Sequence, residues 1–129
     1  IVGVPRAADG WDLTWLSRQA GYLEGTAFPT LPGNSALTGH VYLADGTPGP
    51  FIAIDQLEWG DEVYVVSDEA TFVYAVRQVA HVQPDNLNVL RHEEYSWLTL
   101  IACEGFDEAR EAYVRRVVVR AVLISVEAR

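Results

Sequence analysis

Leu98-Thr99-Leu100-Ile101-Ala102-Cys103 is the stretch on which the reading of this chain turns. Leu, Thr and Ile in succession favour a half- or fully buried strand, because such side chains pack well on a pleated surface. The run ends in the only thiol of the chain, and Glu104-Gly105 follows at once, where a loop is expected to begin. A strand end is a rigid place from which a reacting group can meet a ligand. Taken by itself, a lone Cys in an apolar strand is also an ordinary small hydrophobe. The meaning of Cys103 therefore depends on what the rest of the sequence brings to it.

Around this strand the chain reads as a series of short strands and turns. Arg115 to Val126 is apolar at both parities, which predicts a final strand buried on both faces. Thr71 to Val82 alternates and joins Glu62 to Val66 through Ser67-Asp68-Glu69-Ala70 as a hairpin, with Trp59-Gly60-Asp61 as the turn before it. Ser35 to His40 reads as a strand ending in Gly39, which lets the backbone come close to a neighbour. Gly21 to Thr26, Phe51 to Ile54 and the tail Ile1 to Pro5 supply further short strands. Phe28 to Asn34 and Asp45 to Pro50 are connections, since Pro and Gly interrupt any ladder. Trp11, Trp15 and Leu16 fall at helical spacing, and Gly105 to Tyr113 is acidic and helix-prone. His81 to Trp97 reads as a long polar loop in which Leu87, Val89 and Leu90 pack as one helical turn. About seven to eight short strands with little helix describe a closed β-barrel or a sandwich.

The 129 residues, half of them hydrophobic, suffice for one domain with a real core and are too few for two. Residues 1–129 are accordingly read as a single domain. A formal net charge of −9, with all nine basic residues being Arg, leaves no basic face for a phosphate backbone, so nucleic acid is excluded as a partner. No apolar segment approaches the roughly 20 residues of a spanning helix, and the chain reads as soluble. A single Cys excludes an internal disulfide and a multi-thiolate metal site. The absence of Met, including a starting one, points to a fragment or processed form from which a signal or anchor has been removed.

Three motifs, taken in order, carry a resemblance. Thr38-Gly39-His40 is similar to the catalytic His motif of the sortases, the cysteine transpeptidases of Gram-positive-type cell surfaces. Thr99-Leu100-Ile101-Ala102-Cys103 resembles their Thr-Leu-x-Thr-Cys motif, and Arg115-Arg116-Val117-Val118-Val119 the strand that bears their essential Arg. Glu24 to Ala27 through Pro32 to Asn34, and Pro84 to Leu90, are similar to the segments entering the His and Cys strands. The resemblance covers nearly the whole chain, and three reactive residue types in the right order are far more specific than any one motif. It implies a closed sortase-like barrel with short helices in its loops. Two departures stand out: Ala102 replaces the usual Thr, and the strand expected before Ile1 is missing.

What the resemblance implies for function is an acyl transfer. Cys103 would be the nucleophile, because a thiolate is the reactive form at neutral pH. His40 would protonate the departing amine and later deprotonate the incoming one. Arg116 would present a fixed charge and a fork of donors to the developing oxyanion. Thr38, Val89, Leu90 and Ile101 match positions lining the groove for a Leu-Pro-x-Thr-Gly-like sorting signal, whose Leu-Pro pair is held mainly by burial. The partners implied are that signal peptide and an amine on a cell-wall precursor or another protein, at the extracellular face of the membrane, with the membrane reached only through an anchor outside this fragment. No cofactor is expected. No metal is expected either, because Glu104, Asp107, Glu108 and Glu111 read as a solvated face.

Simpler readings exist for each residue. His81 and His92 read as surface or partly satisfied side chains, and Arg115 and Arg120 as structural or solvent-facing. Two other functional classes use the same sequence: a hydrolytic cysteine peptidase, with water capturing the acyl group, and a non-catalytic β-barrel module that binds peptide without needing Cys103.

Overall fold

The computed structural model describes residues 1–4, 6–7, 10–11, 16, 19–27, 33–43, 46–82, 95–107 and 112–128, with the backbone alone at 2, 6–7, 10–11, 103–107 and 112–115. In chain order the strands are β1 (Val2–Val4), β2 (Arg6–Ala7), β3 (Gly10–Trp11), β4 (Gly21–Leu23), β5 (Gly33–Thr38), β6 (Glu62–Val66), β7 (Ala70–Val82), β8 (Ser96–Asp107) and β9 (Ala112–Ala128). Seven of them form one sheet in the order β1-β4-β5-β8-β9-β7-β6, while β2 and β3 pair with each other. The sheet curls into a half-barrel, so the mostly β barrel class of about seven to eight strands expected from the sequence is found, with seven strands in a half-barrel among the described residues where a closed barrel was expected. Part of the curl has a local cause: the β7 to β9 ladder shifts register between Val73 and Tyr74 and again between Val76 and Gln78. Such irregularities bend a strand and increase its twist.

Alternation sorts the central strands into two faces. Leu98, Leu100 and Ala102 of β8 join Val117, Val119 and Ala121 of β9, Tyr74 and Val76 of β7 and Leu37 of β5 in the main core. Ile101, one position out of phase, packs instead with Val4, Leu16, Leu23 and Ala36 in a second cluster. Val117, Val118 and Val119 are each at most 3% exposed, as a strand apolar at both parities requires when both of its faces are covered. Leu98→Ala should therefore cost roughly 2–5 kcal/mol, the range for truncating a buried Leu. Tyr64→Ala on the exposed edge strand β6 should stay within about 0.5 kcal/mol, as surface substitutions usually do. Denaturant unfolding midpoints of the two variants check the contrast.

Four expectations are corrected. Phe51 to Ile54 is not a strand. Ile52 N–H donates to Gly49 O and Ile54 N–H to Phe51 O, leading into a 3₁₀ turn over Ile54–Gln56. Phe51 and Ile54, three apart, are buried together by that turn, which satisfies an apolar pair without a ladder. The loop expected at Glu104-Gly105 and the helix expected over Gly105 to Tyr113 give way to continued pairing: β8 runs through Cys103 to Asp107 and meets β9 with Phe106 opposite Tyr113. Aromatic positions favour that pairing over the weak helical preference of the acidic residues, of which 108–111 lie outside the described residues. Trp11, expected in a short helix, pairs with Arg6 in the β2–β3 ladder, and 12–15 lie outside the described residues.

Candidate active site

Three adjacent strands fix the positions of the residues singled out above. In the parallel β5–β8 ladder the last pair is Thr38 with Ile101. Carried on in the same direction, that register sets His40 level with Cys103. In the antiparallel β8–β9 ladder Cys103 is paired directly with Arg116, which is in turn paired with Val82 of β7. Neighbouring strands lie about 4.8 Å apart, so Cys103 and Arg116 share one rung, and His40, two residues past the last β5–β8 pair, falls on the same row only when that register is carried on. Directly opposed residues share a face of the sheet, and this row shares the face of Thr38, Ile101 and Val118 rather than that of Ala102 and Val117.

The backbone of His40 and Val41 is tied to a turn at Gly49–Phe51, where the sequence predicts a connection running into a strand. Phe51 N–H donates to His40 O at 3.1 Å and Gly49 N–H donates to Val41 O at 2.7 Å. The Phe51 ring lies against Gly39, where a Cβ would come within 2.8 Å of it, and a Cβ at Gly49 would run into His40 O. Both glycines are thus required by close approach. The signal available in the sequence was the Gly next to the His, which needs a bulky neighbour, and the Gly-Pro-Phe that supplies one.

Arg116 is half-buried, and its Nε is buried with no hydrogen-bond partner among the described residues, a property that the half-buried Arg120 Nε shares. Arg120, two positions along the same face, places its guanidinium 4.5 Å from the centroid of the Trp97 ring, and Arg77 lies 4.6 Å over Trp59. Those are cation–π contacts that anchor the sheet. Arg115 pairs with Glu104 in the ladder, on the opposite parity to Arg116. His81 is exposed and pairs with Val117, one position off the row, while His92 lies outside the described residues.

Of the positions expected to line a peptide groove, Thr38 and Ile101 are side by side and nearly covered, and Val89 and Leu90 lie outside the described residues. The Thr38 hydroxyl donates to Ile101 O at 2.7 Å, and further back the Thr99 hydroxyl donates to Asn34 Oδ1. Ala102 faces the main core, beside a void of about 40 Å³ bounded by Val41, Phe51, Ile54 and Val117 among others. The exchange of Thr for Ala at this position therefore alters core packing behind the row, and removes no group from the face on which the row lies.

Comparison with known proteins identifies the family. The chain matches the Sortase domain family over residues 4–124, and it belongs to the sortase family, whose members are cysteine transpeptidases. It is 34% identical over 82 residues to sortase A of Bacillus anthracis, a match that covers 64% of this chain and 38% of that protein. The matched part is thus well under half of that relative's length. Sortase C-1 of Actinomyces oris is 30% identical with a TM-score of 0.73, covering 90% of this chain and 64% of its own. The fold is also that of a sortase E from Streptomyces avermitilis, 22% identical with a TM-score of 0.75, which is covered over 98% of this chain and 79% of its own.

Proposed function

We propose that residues 1–129 form a single catalytic domain that acts as a cysteine transpeptidase on a Leu-Pro-x-Thr-Gly-like sorting signal at the cell surface. The observation that carries the reading is the direct pairing of Cys103 with Arg116, whose Nε is buried without a hydrogen-bond partner among the described residues, two residues along from the rung at which Thr38 of the Thr38-Gly39-His40 motif meets β8. In this reading the Cys103 thiolate attacks the Thr carbonyl carbon, with Arg116 donating to the oxyanion that forms. The C–N bond then breaks, and the amine leaves with a proton from His40. The thioester that remains is opened by an incoming amine, which returns a proton to His40 and takes the acyl group. Family membership supports the reaction class, and the motif positions support the residue roles. The amine belongs to a cell-wall precursor or another protein. No helix among the described residues is long and apolar enough to cross a membrane, so attachment would be made by a segment outside them.

Intact mass after incubation with a Leu-Pro-x-Thr-Gly peptide tests this reading. A thioacyl adduct that transfers to added diglycine is the expected result. An adduct that is only hydrolysed would make the protein a cysteine peptidase, and peptide binding with no adduct would make it a binding module. The role of Arg116 has its own check. Arg116→Lys keeps the charge but cannot reproduce the planar fork of donors. Losing one oxyanion donor costs on the order of 10²–10³ in rate, so a loss of that size at an unchanged melting temperature is expected. A destabilised variant with normal turnover per folded molecule would assign Arg116 to the scaffold and turn attention to Arg115.

A further inference from the structure

Thr38 makes a hydrogen bond that a groove-lining role does not call for. Its hydroxyl donates to Ile101 O at 2.7 Å, and the two residues are only 5% and 4% exposed. They are also ladder partners, the last in the β5–β8 pairing. Beyond this point the two strands part company: Gly39 and His40 continue without strand structure, whereas β8 runs on through Cys103 to Asp107. The level at which His40 stands against Cys103 is thus set at the Thr38–Ile101 rung, from which each is two residues away. Two side-chain hydrogen bonds are described between β5 and β8, and this is the one nearer His40, the other joining Thr99 to Asn34. On its far side His40 is tied to the Gly49–Phe51 turn, which is not part of the Cys-bearing strand.

We propose that Thr38 is a positioning residue, whose hydroxyl bond to the Ile101 carbonyl locks the end of β5 to β8 and so fixes His40 beside Cys103. The inference rests on the transpeptidase reading and adds to it a residue that acts through the His rather than on the peptide. A buried hydroxyl that already donates to a main-chain carbonyl has no hydrogen left to offer a ligand. Displacement of a reacting group by about 1 Å can cost on the order of a hundredfold in rate, so a single buried tether two residues from the imidazole is enough to matter.

The experiment compares Thr38→Val, which keeps the shape and removes the donor, with Thr38→Ser, which restores it. Thr38→Val is expected to lower kcat about ten- to a hundredfold while KM for the sorting-signal peptide stays within about twofold, and Thr38→Ser is expected to recover to within about threefold of the parent. Thr38→Ala, which removes the bond without placing a new methyl group, must show the same split if Thr38→Val proves unstable. The pH profile of Cys103 alkylation by iodoacetamide, which senses the imidazole through the thiolate, should shift in Thr38→Val and Thr38→Ala and return in Thr38→Ser. A rise in KM at unchanged kcat would overturn the proposal and make Thr38 a peptide contact. Unchanged kcat, KM and alkylation profile in folded Thr38→Val would overturn it as well. Alkylation needs no turnover, so absence of a thioacyl adduct in the parent protein would refute the transpeptidase reading while the profiles still decide whether Thr38 positions His40.

Discussion

Cys103→Ala is expected to leave no detectable thioacyl adduct and no transfer of a sorting-signal peptide to diglycine, with a melting temperature within a few degrees of the parent. The chemical half of this expectation follows from the nucleophile's identity. No other side chain of the chain is a thiol, and no serine stands in its place in the row. Without a thiolate, the remaining His and Arg can polarise the scissile carbonyl but cannot form the covalent intermediate that divides the amide cleavage into two easier steps. The structural half follows from the ladder. Cys103 lies inside β8, four residues before its end, with paired neighbours on both sides, Ala102 to Val117 and Glu104 to Arg115. Removing a sulfur from such a position is comparable to removing one methyl group, which costs roughly 0.5–1.5 kcal/mol even when the site is buried. Mass spectrometry and thermal unfolding of the same preparation check both halves. A variant that still turned over would remove Cys103 from the mechanism, and a variant that failed to fold would make it a core residue.

The contrast between what the sequence disclosed and what it hid follows from the range of the interactions. Periodicity in Leu98 to Cys103, Thr71 to Val82 and Arg115 to Val126 revealed the three long central strands, because local alternation and both-parity burial are written in consecutive residues. Motif order then nominated His40, Cys103 and Arg116; the observed register pairs Cys103 with Arg116, while the β5–β8 register ends at Thr38, two residues before His40. The extension of β8 and β9 past Cys103 was hidden, since it depends on Phe106 pairing with Tyr113 on the other strand while the local composition favours helix. Phe51 to Ile54 was misread for a similar reason: four apolar residues carry no period of their own, and the Gly49 turn decided between strand and 3₁₀ geometry. The bond from Thr38 to Ile101 joins residues far apart in the chain that only the ladder brings together, and the brace behind His40 depends on how the Gly49–Phe51 turn folds back on it. Val89 and Leu90, nominated by resemblance for the groove, stay as expectations because they fall outside the described residues.

His40→Ala should lower kcat/KM by on the order of 10²–10⁴, the usual worth of a positioned general acid and base. His81→Ala should leave it within about twofold of the parent. The two histidines offer a test with its control built in. Composition alone does not rank them, and each lies at or beyond the end of a strand. What separates them is place: carrying the Thr38–Ile101 register forward sets His40 beside Cys103, whereas His81 is exposed and paired with Val117, whose other partner is Ala102 on the core-facing parity. An imidazole level with the thiol can accept its proton, stabilise the thiolate as an ion pair and protonate the leaving amine. From the His81 position none of these transfers is direct. The loss in His40→Ala should also change with pH, because raising the pH restores thiolate without the imidazole but cannot restore the proton needed by the departing amine. Alkylation of Cys103 in His40→Ala should therefore recover at high pH while peptide transfer does not. Recovery of both would reduce His40 to a modulator of the thiol, and a dead His81→Ala beside an active His40→Ala would mean that the β5 register does not bring the working histidine to the Cys strand.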